Sequence, residues 1–192
     1  MNQKTVFMFM GKSGSGKTTL EKNVVELHPT EFRKVISLTT RPPRDGEVHG
    51  KDYFFISIDQ YKLFKSTNEL VQETYFADHY YATRRMEFTT KHPNIIFTIT
   101  PESAAETIPI LQNYFPGIII KVIYFNVSNS RVMQNMKLRG DTQQTILERV
   151  AFDTLDEQFK QSRLVPDFVV TDNMLNGTLT AEFVQWARTI VN

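Results

Sequence analysis

The chain predicts an α/β fold, a parallel sheet flanked by helices, and three observations carry that expectation. Four apolar segments rich in β-branched and aromatic residues, about 5–10, 95–100, 118–127 and 167–171, read as buried strands. Helical patterns separate some of them, an order that argues a sheet covered on both faces. Residues 37–92 break this rhythm with short strand-like pieces among turn residues, which predicts an inserted small β-rich lobe.

Each element has its own signal. After the first strand, Thr18 to Leu27 places Leu20, Val24 and Leu27 at helical spacing, and Pro29 closes it. Pro101 to Tyr114 opens on a proline with Glu102 and Glu106 near its positive end, and Pro109 predicts a kink or an early stop. Ser130 to Leu138 and Gln143 to Phe159 are helix candidates divided at Gly140, and Thr180 to Val191 is an amphipathic helix. Inside the lobe, Tyr53–Ile58, Leu70–Ala77 and Tyr80–Thr83 read as short strands, set among Pro42, Pro43, Gly46 and Gly50.

Composition narrows the function. With 192 residues, 41% of them hydrophobic, one domain with a substantial core is expected. The 22 basic and 21 acidic residues nearly cancel, which excludes a general electrostatic grip on nucleic acid or an anionic membrane. Without cysteine there is neither a disulfide framework nor a thiolate site. Val6 to Met10 is too short an apolar run for a signal peptide, and a membrane helix needs roughly 20 residues. A soluble, cytoplasmic protein is expected. His28, His49, His79 and His92 show no metal spacing and read as polar surface.

Gly11-Lys12-Ser13-Gly14-Ser15-Gly16-Lys17-Thr18 satisfies G-x-x-x-x-G-K-[ST] between a strand and a helix, so the sheet is expected to be of the P-loop NTPase type. Glycines let backbone N–H groups turn inward around phosphate, and the helix N-terminus adds partial positive charge. In that chemistry Lys17 reaches the β- and γ-phosphate oxygens, Thr18 holds Mg²⁺, and Thr19 follows in the first helical turn.

A second informative stretch runs from Thr39 to Tyr53. Arg41 and Arg44, stiffened by Pro42 and Pro43, present two planar donors suited to a phosphate, and Tyr53 and Tyr81 offer hydroxyls to complete it. A solvated basic turn has the same composition, and composition leaves both readings open.

From the loop through this stretch the sequence resembles the guanylate kinases over nearly its whole length, most specifically in Thr39-Thr40-Arg41-Pro42-Pro43-Arg44-Asp45-Gly46-Glu47-Val48-His49-Gly50-Lys51-Asp52-Tyr53. The resemblance implies that Ser37 touches the base, that Arg41, Arg44, Tyr53 and Tyr81 clamp a monophosphate with Glu47 in the same site, and that Thr83 meets the guanine carbonyl oxygen. It also implies a core of about 1–36, 93–130 and 160–192, an acceptor lobe of about 37–92 and a helical lid of about 131–159. In the lid, Arg139 and Arg149 match the family's arginines, while Asn135 stands in place of a third, with Lys137 nearby. Ala82 replaces the family's glycine after the paired tyrosines.

Two departures bear on the base. A gapless alignment puts Gln72, with Glu73 beside it, where the family carries a glutamate, and Thr98-Ile99-Thr100 replaces an Asp-x-Asp. An amide both donates and accepts, whereas a carboxylate only accepts. A one-residue slip would turn Glu73 inward and reverse the facing of its neighbours. The implied reaction is transfer of the ATP γ-phosphoryl group, with Mg²⁺, to a nucleoside monophosphate, GMP first among the candidates. Another purine nucleotide or a ribose phosphate is an alternative acceptor, and a non-catalytic phosphopeptide-binding module is the alternative from another class. A monomer or weak homodimer is expected.

Overall fold

The computed structural model describes residues 3–76, 78–151, 153–175 and 177–191. Among the expected spans, Met1, Asn2, Asn176 and Asn192 of the core, Ala77 of the lobe and Phe152 of the lid lie outside the described residues.

The main sheet is entirely parallel. Its order is β2 (Phe32–Lys34), β7 (Asn94–Thr98), β1 (Thr5–Gly11), β8 (Ile119–Phe125) and β9 (Phe168–Val170). β1 is central and buried along its whole length, which is why it reads as a continuous apolar run rather than an alternating one. Phe7 and Phe9 point to one face, where α1 (Lys17–Leu27) supplies Leu20 and Val24 and α7 (Leu179–Val191) supplies Phe183 and Ala187. Val6, Met8 and Met10 point to the other, against Ala104 and Leu111 of α3 (Pro101–Tyr114) and Phe159 of α6 (Leu155–Ser162).

The second sheet holds β4 (Phe54–Phe55), β3 (Leu38–Thr39), β6 (His79–Arg84) and β5 (Leu70–Phe76), in that order. Against it packs α2 (Ile58–Ser66), whose Tyr61 is buried with Leu38 and Ala82. The strand expected over Tyr53–Ile58 is therefore cut to two residues and followed by a helix. The signal was present: Ser57 accepts from the Gln60 amide and Gln60 from the Ser57 amide, a capping box that outweighs the β-favouring aromatics before it. β2 carries no apolar pattern and had no sequence signal; pairing with β7 alone makes it a strand.

Two further expectations change. α3 does not stop at Pro109 but runs on to Tyr114. Pro109 and Ala105 are both on the exposed side, so the carbonyl released from its helical partner faces water. The single helix expected over Gln143–Phe159 is two, α5 (Gln143–Ala151) and α6, and α4 (Asn129–Leu138) precedes them. Among the described residues no helix is long and apolar enough to cross a membrane.

Candidate active site

β1 delivers the phosphate loop to the C-terminal edge of the main sheet, where α1 begins. Gly11, Gly14 and Gly16 all have positive φ, at 144°, 80° and 98°. Lys17 folds its ammonium over the loop and donates to the carbonyls of Gly11 (2.5 Å) and Lys12 (2.7 Å) and to Ser15 Oγ (3.4 Å). Burial pushes this ammonium down to about 8, against the pull of Asp153 and Glu21 in the other direction. Lys12 turns its side chain away, 2.6 Å from Asp156 of α6 and 2.8 Å from Asn129 Oδ1 of α4, so only its backbone remains for a phosphate.

The loop lies at the junction of two compartments. One, of about 850 Å³, is lined by the loop, Thr18, Thr19, Arg131, Asn135 and Leu175. The other, of about 1170 Å³, opens toward the second sheet and is lined by Ser37, Arg44, Glu47, Tyr53, Thr74 and Arg149 among others. Ser13, Thr18, Thr98, Thr100 and Arg139 belong to both walls, so the compartments meet at the start of α1.

The predicted site residues are distributed as follows. Arg44 lines the second compartment and its amide donates to Glu47 at 2.8 Å. Arg41 sits one layer behind: only 8% exposed, it forms a two-pronged pair with Glu47 (2.8 and 2.9 Å), which holds Glu47 below the usual carboxylate range. Its guanidinium lies over the Tyr53 ring, and its buried Nε has no partner within the protein. Tyr53 and Tyr81 stack edge to face beside it, and burial raises the Tyr53 hydroxyl. The paired guanidiniums expected to face one ligand are thus one wall group and one buried group bracing the wall through Glu47.

On the lobe's inner face Gln72, which stands where the family pattern carries a glutamate, belongs to a neutral hydrogen-bonded chain. Ser37 Oγ meets Thr83 Oγ1 at 2.9 Å, Thr83 donates to Gln72 Oε1 at 3.3 Å, Gln72 Nε2 donates to Thr74 at 2.9 Å, and Thr74 meets Ser103 of α3 at 3.2 Å. Glu73 also borders the second compartment, but its carboxylate is engaged from α2 by the Tyr61 hydroxyl (2.5 Å) and the Lys65 ammonium (2.8 Å). The register shifts by one residue between Leu70 and Gln72; beyond that bulge Gln72 pairs with Thr83 and Glu73 with Ala82, so Gln72 and Thr74 share one face while Glu73 takes the other. Thr100 lines both compartments while its hydroxyl caps α3 through the Ser103 amide.

The helical segment closes over the loop from the other side. Asn135 Nδ2 donates to the Gly14 carbonyl at 2.8 Å, docking α4 on the loop. Arg149 reaches Ser13 Oγ at 3.4 Å, whereas Arg139 pairs with Asp141. Lys137 is exposed and outside both walls. Two residues went unread in the sequence. Arg131, one turn before Asn135 on the same helical face, lines the loop compartment and donates to the Leu175 carbonyl at 2.8 Å; an i, i+4 search would have found it. Glu21 lies buried on α1 between Thr98 and Lys34, two partners that nothing in the chain order brings together.

A phosphate loop under the edge of a parallel sheet, faced by an inserted lobe and a basic helical segment, defines a P-loop nucleotide-binding protein with a separate place for a second ligand. The chain belongs to the guanylate kinase family, whose model, described as Guanylate kinase, matches residues 3–184. It is 31% identical over 150 residues to a guanylate kinase of Thermosynechococcus vestitus, covering 76% of this chain and 75% of that one. A guanylate kinase of Aster yellows witches'-broom phytoplasma is 26% identical over 203 residues, covering 100% of this chain and 93% of that one. The fold is that of the crystal structure of guanylate kinase from Anaplasma phagocytophilum (TM-score 0.60, 16% identity, covering 97% of this chain and 85% of that one).

Proposed function

We propose that this chain transfers the γ-phosphoryl group of ATP to a nucleoside monophosphate, GMP to GDP, across the junction of its two compartments. The observation that carries the reading is that junction: Ser13, Thr18 and Arg139 belong to both walls, so two phosphorylated ligands would meet at Lys17. ATP would occupy the loop compartment on Gly11, Lys12, Ser13, Gly14, Ser15, Gly16, Lys17, Thr18 and Thr19. The acceptor phosphate would face Arg44, Tyr53 and Tyr81, braced by Arg41 and Glu47, with the base toward Ser37, Thr83, Gln72 and Thr100.

The chemistry asks little of the protein beyond alignment and charge. A phosphate monoester with a second pKa near 6 is already largely dianionic at neutral pH, so no side-chain base is needed. Lys17, Arg139 and Arg149 would offset charge on the transferring group while Arg44 offsets repulsion between the two anions. Arg139 would exchange Asp141 for phosphate oxygens, and Lys17 would exchange its loop carbonyls. The exposed Thr18 hydroxyl at the start of α1 fits Mg²⁺, an ion that keeps most of its waters and takes phosphate oxygens; no cluster of three metal-ligating side chains exists among the described residues. When bound with ATP, the ion neutralises charge on the β- and γ-phosphates.

ADP release with ATP and Mg²⁺ against GMP, dGMP, IMP, AMP and ribose phosphates tests the reading. GMP turnover above the other acceptors supports it, and no turnover with any of them ends it. The neutral Ser37–Thr83–Gln72–Thr74 chain favours a second reading, another purine nucleotide, because guanine offers two donors on its N1 and amino edge and the amide meets them less fully than a carboxylate. Gln72→Glu is accordingly expected to raise kcat/KM for GMP over IMP by about tenfold or more, the scale of one hydrogen bond to a charged group. An unchanged ratio places the base away from this strand.

Nucleotide binding should also depend on pH. Phosphate oxygens favour the Lys17 ammonium, so binding raises its pKa from about 8 and takes up a proton above that pH. Above about pH 7, where the terminal phosphate of ADP is already largely dianionic, affinity for ADP is expected to fall as pH rises through about 8. Calorimetry at pH 8.5 in buffers of different ionisation enthalpy checks this; zero proton uptake contradicts it.

A further inference from the structure

Glu21 is a buried carboxylate to which the reaction just described gives no task. Its side chain is 11% exposed, it projects from the sheet-facing side of α1, and it lines the second compartment with Thr18, Lys34 and Thr98. Thr18 and Glu21 are three residues apart on one helix, so their side chains are neighbours on one face. A carboxylate in that place is costly unless it is paired or coordinates a cation. Its pairs are partial. Oε2 accepts from Thr98 Oγ1 at 3.0 Å and Oε1 lies 3.6 Å from Lys34 Nζ, which leaves each oxygen a further acceptor position.

Thr98 gives the arrangement its meaning. It ends β7, the strand paired directly with the loop strand, with Phe9 opposite Thr98 in the register. In P-loop enzymes the cation is held by the loop hydroxyl together with a carboxylate supplied nearby. Here the neighbouring strand ends in a hydroxyl, and that hydroxyl holds the carboxylate of Glu21 at the sheet edge. The geometry points to Glu21 as the carboxylate that, directly or through a bound water, holds the divalent cation accompanying the nucleotide at Thr18. The inference rests on the reading of this site as one for ATP with Mg²⁺. Of the other carboxylates that line the second compartment, Asp153 is the rival, since it alone joins Glu21 in acting on the Lys17 ammonium, but its Oδ1 accepts from the Leu155 amide at 2.9 Å where α6 begins.

Mn²⁺ and ADP, with no acceptor, test it without turnover. Free Mn²⁺ is followed by electron paramagnetic resonance, and ADP affinity without metal is measured separately. Glu21→Gln, which keeps the side chain's size, is expected to weaken Mn²⁺ in the protein–ADP complex by 10- to 100-fold, the usual range for a lost metal-site partner, with metal-free ADP affinity within about twofold. Lys34→Met breaks the same ion pair and should leave Mn²⁺ affinity unchanged or tighter. If Glu21→Gln does not fold by thermal melting, Thr98→Val is read instead. It removes only the anchor of the carboxylate and should weaken Mn²⁺ several-fold. Mn²⁺ affinity unchanged in Glu21→Gln, or in Thr98→Val where that variant stands in, overturns the inference. So does an equal loss in Lys34→Met, which would make the pair a strut between α1 and β2, and so does a loss in Asp153→Asn with Glu21→Gln unaffected. Wild-type protein that binds no ADP would instead overturn the nucleotide reading itself.

Discussion

Lys17→Ala is expected to lower kcat by about a thousandfold, roughly 4 kcal/mol of transition-state stabilisation, while the protein stays folded. The size follows from geometry. Lys17 is the ammonium at the centre of the loop, donating to the Gly11 and Lys12 carbonyls, and in the proposed reaction the transferring group would gather negative charge within its reach. Stability should not suffer. Burial holds the ammonium to about 8, so the charged form is disfavoured in the fold, and alanine removes that cost in exchange for the hydrogen bonds to the Gly11 and Lys12 carbonyls. Steady-state ADP release and a thermal melt on the same preparation check both halves. Activity within tenfold of wild type would remove Lys17 from the chemistry.

Gly11→Ala has the largest expected effect on the fold. A Cβ there would stand 2.7 Å from Phe125 Cβ and 2.8 Å from the Phe125 carbonyl oxygen, and φ is already +144°. Gly11 is paired with Phe125 across β1 and β8, so relief requires the sheet to move rather than a flexible side chain. Overpacking and backbone strain together should cost on the order of 4 kcal/mol, lowering Tm by about 10 °C in a chain this long. Gly117→Ala is the comparison: its φ is +85° but nothing lies within 4 Å of the added atom. Only the backbone cost of about 1 kcal/mol should appear. Equal melting losses for the two would mean that the close approach at Phe125 is not what requires glycine.

Much of the fold could be read in advance because the strongest signals are local. β1 and the loop after it form one contiguous string, and a central parallel strand must be apolar on both faces. The capping box of α2 was equally local but lay behind aromatic residues of strand character. β2 was not legible at all, since Phe-Arg-Lys becomes a strand only through the edge that β7 offers it. The site divides in the same way. Gly11 to Thr18, Arg41 and Arg44 are carried by short motifs. The capture of Arg41 by Glu47, the docking of Asn135 on Gly14 and the meeting of Glu21 with Thr98 depend on how separate elements pack.

The sequence by itself determined that this protein has a P-loop motif after a buried strand, a lobe carrying Arg41 and Arg44, and a family pattern with departures at Gln72 and at Thr98-Ile99-Thr100. Those properties belong to residues adjacent in the chain. Only the tertiary structure decided that Gln72 joins the neutral chain while Glu73 turns to α2, that Arg41 braces rather than lines the cleft, and that a helix carboxylate stands at the end of β7. A strand alternates its side chains between two faces and a helix distributes them around its axis, so the partners are settled only when pairing and packing fix which faces meet.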